Sequence, residues 1–365
     1  MKNLFCFVIV GFLSLAACGQ AGNYVVSGKV IDAITKAPLQ AASVFAQNTT
    51  IGTATDAEGN FKLVLPNGGY DLVVSFTGYE TGARRITTAD AENKNILFEI
   101  KQKEKELADV VVKASNEVKD GWEKYGDFFL ENFIGKTANS KYCTIKNKDV
   151  LKFYYYKRSN RLKVLATAPV EIANEALGYT IKYTLDSFSH LYNTQASVFS
   201  GYPLFEEMQP SSEAQKVQWD SSRAIAYRGS ILHFMRSLFR KQLKEEGFEI
   251  QFIAKVNEKE VPVQLKDFYG AMNYDKDDST NTVEVMPNQA EVAVLYKNEQ
   301  PDAAYLAANP GEPDKFQLSI VNFLPKESIV IEQNGYYFEQ TDIVINAYWE
   351  WEKVADMLPY DYKAP

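Results

Sequence analysis

Two periodicities divide the chain. From residue 24 to residue 100, apolar and polar positions alternate in short runs, the period-two pattern of strands with one buried face. Residues 24–31 are expected as the first strand, 42–46 as the second and 51–55 as the third. Residues 61–65 alternate most cleanly, putting Phe61, Leu63 and Leu65 on one face, and runs at 70–76 and 96–100 follow. Turn chemistry separates the runs. Pro38 cannot donate to a ladder, and Asp56-Ala57-Glu58-Gly59-Asn60 reads as a tight hairpin with Gly59 at positive φ. About seven strands with turns every 8–12 residues predict an all-β sandwich.

Beyond a charged hinge at 101–105 the pattern changes. Trp122, Tyr125, Phe128, Phe129 and Phe133 recur at helical spacing, predicting an amphipathic helix whose aromatic stripe is core. Strands are expected at 150–157, 162–168, 179–185 and 195–200. A helix is expected from Ser230 to Glu246, with Ser230 accepting the N–H groups exposed at its start and Gly247 ending it. Further strands are expected at 249–256, 291–297, 316–323, 328–332 and 342–348, then a short helix toward Leu358. The expected fold is thus an N-terminal sandwich followed by a β-rich α+β domain. The boundaries are 1–17 for a signal peptide, 18–105 for the sandwich, 106–120 for a linker strand and 121–365 for the α+β domain.

The sandwich carries a family pattern. Gly28-x-Val30-x-Asp32-x-x-Thr35-x-x-Pro38-Leu39 with Ala42-x-Val44 opens it. Gly52-Thr53-x-Thr55-Asp56-x-x-Gly59-x-Phe61-x-Leu63 forms its central hairpin, and Gly69-Tyr70-x-Leu72 and Ser75-x-x-Gly78-Tyr79 follow. This resembles the carboxypeptidase regulatory-like domain. The resemblance implies a transthyretin-like sandwich, also described as a carbohydrate-binding-like fold, which accompanies another activity and is not itself catalytic. Stretches at 174–179, 201–207 and 227–234 are similar to the uncharacterised C-terminal region of exported, Bacteroidetes-type proteins that carry this sandwich; that similarity implies a location and no activity.

The N-terminus predicts export. Lys2 precedes an apolar run at 4–17, too short to span a bilayer and of the length of a signal h-region. Leu15-Ala16-Ala17-Cys18 looks like a lipobox, which makes Cys18 the expected lipidation site; the rival cut falls after Ala21. Lipidated Cys18 would make the chain an outer-membrane lipoprotein of the cell envelope, held to the membrane by its acyl chains. No acidic cluster follows Cys18, so a periplasm-facing position is expected, with a secreted or soluble periplasmic protein as the alternative. Cys143 then remains as one thiol without an internal partner, expected as a small buried apolar residue.

Composition narrows the chemistry. A net charge of −8 gives no electrostatic reason to bind nucleic acid. A zinc carboxypeptidase needs His-x-x-Glu, but His190 is followed three residues later by Asn193 and His233 by Arg236, so that enzyme is excluded. The two histidines are expected as a turn residue and a helix residue. No nucleophile elbow or phosphate-binding loop occurs, and the acidic run 275–281 is expected as a solvated loop. Arg236, Arg240, Lys241 and Lys244 are expected on a solvated helix face. Trp349 and Trp351 would share one face of a strand; they are the candidate binding residues, able to stack on a sugar ring, with core packing as the competing use. No catalytic residue, metal ligand or cofactor is marked. The expected function is a non-enzymatic exported envelope protein that binds a partner protein or a glycan. The alternative is a carboxylate-dependent hydrolase, such as a glycosidase, in the C-terminal domain.

Overall fold

The computed structural model describes residues 22–103, 116–256, 259–338 and 340–364. The leader, Cys18 and residues 106–115 of the expected linker strand lie outside them.

The N-terminal unit is a sandwich of two sheets. Its strands are β1 (Asn23–Asp32), β2 (Ser43–Ala46), β3 (Gly52–Ala54), β4 (Asn60–Pro66), β5 (Gly69–Ser75), β6 (Gly82–Thr87) and β7 (Ile96–Ile100). One sheet has the order β4-β1-β7 and the other β3-β2-β5-β6. Strict alternation in β4 buries Phe61, Leu63 and Leu65 against Val26, Val30, Tyr70 and Leu72. β1 runs antiparallel to β4 and parallel to β7. A Cβ at Gly28 would sit 2.0 Å from the Ile96 carbonyl oxygen, so only glycine lets β7 lie this close. β6 was not expected, because Gly82-Ala83-Arg84-Arg85-Ile86-Thr87 buries only Ile86 and shows no alternation. Asp32 ties the first turn together. Its carboxylate accepts from the N–H groups of Ile34 and Thr35 and from the Tyr79 hydroxyl, at 2.7–2.8 Å, and these bonds hold its pKa at about 2.

Residues from Gly121 onward build two apolar cores. The first is covered by α1 (Gly121–Phe133), whose Phe129 and Phe133 are fully buried and stack at 4.9 Å, each worth roughly 2–3 kcal/mol by burial. They pack on a sheet of β8 (Cys143–Ile145), β9 (Leu151–Tyr156), β10 (Arg161–Ala166), β11 (Val170–Asn174), β12 (Tyr179–Leu191) and β13 (Ala196–Glu207). β12 and β13 form one long hairpin that runs past the expected ends at 185 and 200. α2 (Glu213–Tyr227) was not expected. Ser212 caps it by accepting from the Gln215 N–H at 3.2 Å, but its buried stripe is thin and includes a charged residue, Arg223.

The second core lies between α3 (Ile231–Phe239) and strands β14 (Phe248–Val256), β15 (Lys259–Gln264), β16 (Asp275–Asp277), β17 (Thr282–Val285), β18 (Glu291–Tyr296), β19 (Gln317–Phe323), β20 (Ile329–Glu332) and β21 (Ile343–Ala347). The short helices α4 (Phe268–Ala271), α5 (Ala303–Ala308) and α6 (Tyr348–Trp351) are interspersed among these strands. The strands make a sheet β15-β14-β18-β19-β21 and a smaller one, β16-β17-β20.

Several expectations need correction. α3 begins at the Ser230 cap but stops at Phe239, not at Glu246: Lys241 takes φ 58°, and the Lys241 and Gln242 N–H groups close back on Leu238 and Ser237, a Schellman ending without glycine. Arg236 is not on a solvated face. It is buried, and its guanidinium donates to the carbonyls of Asn334 (3.0 Å) and Tyr360 (2.9 Å). His190 is a buried residue of β12 rather than a turn residue. The run 275–281 is exposed, as expected, but it is strand β16 and a hairpin turn rather than a loop. Cys143 is partly buried, its thiol pushed up to about 12 by burial.

The sandwich is docked on both cores. Asn48 donates its N–H to Pro203 O (2.7 Å) and its amide to Leu358 O (3.3 Å), and accepts from Tyr360 N (2.6 Å). Asn334 donates to Gly69 O at 2.9 Å, and the Tyr336 hydroxyl donates to Asp71 at 3.0 Å. Thr50 bonds Asp361 through both its N–H and its hydroxyl.

Candidate functional site

A polar cleft of about 400 Å³ opens where α1 and the β12–β13 turn face α5 and α6. α1 leads to Glu131, Asn132 and Lys136, with Glu131 and Lys136 paired at 2.8 Å. The hairpin turn supplies Gln195, and the start of β13 supplies Ser197. Ser197 gives its hydroxyl proton to Asn132 Oδ1 (2.9 Å), so the 2.8 Å contact with His190 must be a bond donated by Nδ1–H of the imidazole. Burial favours the neutral imidazole by pulling its pKa down, and Nε2 is left as an acceptor without a partner among the described residues. Ser197 is therefore a bridge, with its proton turned away from any nucleophilic use.

The far wall is aromatic. Trp351 meets Tyr305 edge-on at 5.6 Å, and Tyr305 meets Tyr348 at 5.1 Å. Burial raises the Tyr305 hydroxyl to about 12, with Glu312 adding to the rise. Two buried polar atoms in this wall have no hydrogen-bond partner among the described residues: the Trp351 indole N–H and Glu312 Oε2. Lys353 reaches the same cleft, its ammonium pKa lowered by burial while Glu350 opposes the shift. Ala347, at the turn from β21 into α6, also lines the cleft. It adopts φ 63° and ψ −129°, a conformation that L-residues with a Cβ avoid.

The two candidate tryptophans do not share a strand face, because both stand on helix α6. Trp349 is a core residue: it is buried, donates its indole N–H to Gly229 O at 2.7 Å and packs on Phe234 at 5.2 Å. Trp351 is half-buried and borders the cleft. Sequence reasoning missed Glu312 and Tyr305, which sit in segments with no marked pattern, and Asn132, a polar position on the predicted helix α1; the three come together only in three dimensions.

On the other side of α6 lies a smaller chamber of about 160 Å³ whose walls are mainly apolar. Glu352 and Asp356 are among the residues that line it. Asp356 is spoken for: Thr137 Oγ1 (2.8 Å) and Asn139 Nδ2 (2.9 Å) donate to it, and burial raises it to about 6 against their pull. Among the described residues, no group of three or more His, Cys, Asp or Glu side chains could hold a metal ion, and no helix is long and apolar enough to cross a membrane.

Residues 26–112 match the family model of the CarboxypepD_reg-like domain. Over 75 residues, 19% of this chain, the sequence is 37% identical to carboxypeptidase E of Caenorhabditis elegans. The chain spans about 15% of the length of that curated relative, and the match involves its regulatory-type region rather than a catalytic one. Among solved structures, a membrane-associated protein of unknown function from Bacteroides fragilis aligns over 89% of this chain and 95% of its own at 11% identity, with a TM-score of 0.19. BcpA, the major pilin subunit of Bacillus cereus, aligns over 85% and 95% at 11% identity, with a TM-score of 0.17. Scores this low carry no structural argument.

Proposed function

We propose that this chain, whose residues 26–112 match the CarboxypepD_reg-like domain, a regulatory type of domain, is an exported binding protein that takes a glycan segment in the cleft beside Trp351. The supporting observation is the pair of unpartnered groups in that cleft, the Trp351 N–H donor and the Glu312 Oε2 acceptor. A buried polar atom without a partner costs about 1–3 kcal/mol. A sugar hydroxyl both donates and accepts, so a polyol carries both kinds of partner that these atoms lack. The exposed part of the indole offers an apolar face for the ring's C–H side.

Trp351→Phe keeps most of the ring and removes the donor. We expect the wild type to retain at least one neutral oligosaccharide on a glycan array, and titration calorimetry to show about a tenfold loss in the variant. Glu312→Gln should lose a similar amount. Unchanged affinity in both variants, or no oligosaccharide bound by the wild type, rejects the reading.

Export and anchoring through Cys18 belong to the same proposal. The support is the leader pattern at 1–17 and Leu15-Ala16-Ala17-Cys18. Cys18→Ala should abolish acyl labelling and release the protein from the membrane fraction; a variant that still sediments with membranes counts against the anchor.

A further inference from the structure

The small chamber behind α6 presents a different chemistry from the cleft. Its walls are Trp349, Tyr337, Tyr360, Met235 and Leu358, with Glu352 set among them. The sandwich closes one side through Asn48, and the C-terminal segment closes another. Glu352 makes no side-chain hydrogen bond among the described residues, while Asp356, its neighbour, has its oxygens taken by Thr137 and Asn139.

The charges that act on Glu352 most strongly are both negative. Asp356 and Glu299 repel it, and burial and that repulsion push its pKa well above the ordinary carboxylate range. The nearby cations are engaged elsewhere. Arg236 donates to the carbonyls of Asn334 and Tyr360, Arg228 pairs with Glu299 at 2.5 Å, and Lys353, which borders both the chamber and the cleft, is attracted by Glu350. The chamber is therefore bordered by a carboxyl that has no ion pair among the described residues, set beside aromatic and aliphatic side chains.

We propose that this chamber is a binding site for a small organic ammonium, a primary amine on a short aliphatic chain, with Glu352 as its counter-ion and the rings of Trp349, Tyr337 and Tyr360 around its carbons. A hard metal ion would need six or more oxygen ligands, and here one carboxyl is free. An ammonium needs one carboxylate and gains from aromatic faces. A cavity of about 150 Å³ accommodates a benzene-sized molecule, so the 160 Å³ here sets a limit of about six non-hydrogen atoms. The site is separate from the glycan cleft and stands whether or not that cleft binds sugar.

Binding is coupled to protons. Burial and like charges favour the protonated form of Glu352, and an ammonium favours the carboxylate, so affinity is expected to rise with pH and binding to release protons to buffer. Asp356, Glu299, Tyr348 and Lys353 are the other ionisable groups coupled to it or lining the chamber.

The test uses the full chain with n-butylammonium and n-butanol, two molecules of equal size that differ in charge. Calorimetry should show saturable butylammonium binding in the low-millimolar range that five non-hydrogen atoms can support. Affinity should strengthen from pH 6 to pH 8, with a binding heat that differs between phosphate and Tris because a proton is released. Butanol should not bind at the same concentrations. Glu352→Gln, close in shape to the protonated carboxyl, should weaken butylammonium at least about tenfold with little change in melting temperature. Met235→Phe, which fills the chamber, should remove binding as well, and decides the matter if Glu352→Gln does not fold. Equal binding of butanol, undiminished affinity in the two variants, or no saturation by about 50 mM overturns the proposal.

Discussion

Glu332 ends β20 with its side chain pressed on the sandwich: a Cβ added to Gly69 would come within 2.7 Å of its Cγ. It is 3% exposed, and burial, with repulsion from Asp90 and partial relief from Arg85, raises its pKa from 4.5 to about 7. The folded protein therefore holds a proton that the unfolded chain has already lost between those values. Stability from this group is complete below about pH 4.5 and falls as pH rises through about 7, by on the order of 3 kcal/mol. Glu332→Gln should match the wild type in melting temperature at pH 5 and exceed it at pH 8, as followed by calorimetry; an equal deficit at both pH values contradicts this origin. Nothing local announced the burial. The strand at 328–332 was legible from Ile329 and Ile331, and alternation then puts Glu332 on the solvent side. Arg236 misled in the same way, since both are covered by a neighbouring unit that local periodicity cannot reveal.

At the scale of elements, strands with one wet face were legible and the places where the chain changes direction without glycine were not. β4, β7, β9 and β19 lie within a residue or two of their expected ends, because alternation or a dense apolar run marks them. Two helix boundaries failed for one reason. Lys241 and Ala347 take left-handed φ values of 58° and 63°, which sequence reasoning reserves for glycine. Ala347 turned an expected strand, with two aligned tryptophans, into a strand that breaks into α6, and so separated Trp349 in the core from Trp351 in the cleft. Its conformation stores strain of order 1–3 kcal/mol. Ala347→Gly should raise stability by about 1 kcal/mol in chemical denaturation while weakening oligosaccharide binding, because Trp351 is held less firmly. A variant that gains neither stability nor freedom would show that the strain is absorbed elsewhere.

For the whole molecule, the class was legible: an all-β sandwich followed by β-rich α+β structure. The second half proved to have two cores, which a single sequence does not separate, since both are built from the same short strands. What joins the units is also outside the reach of pattern. Asn48, Asn334 and the segment around Tyr360 are polar or isolated positions whose partners lie hundreds of residues away. Asn334 is 8% exposed and bonds both Gly69 O and the Tyr336 N–H. Asn334→Ala should cost about 1–3 kcal/mol of docking. Hydrogen exchange should then accelerate along β5 and at 334–338 while the sandwich core stays protected. Uniform acceleration throughout would mean the units unfold as one.

The parallel pairing of β1 with β7 has a mechanical consequence. Because the strand where the described sandwich begins and the strand by which the chain leaves run side by side in one direction, the chain enters at one end and exits at the other. The distance between is close to the length of β1, about 30 Å for ten residues. Were the N-terminus anchored and a ligand held by the C-terminal half, as proposed, tension between them would be shared by the docking bonds of Asn48 and Asn334 and by the rungs from Gly28–Ile96 to Asp32–Ile100, which would be loaded together, in shear, rather than peeled apart in turn. The domain would then act as a stiff tether, holding the cleft at a fixed height above its point of attachment.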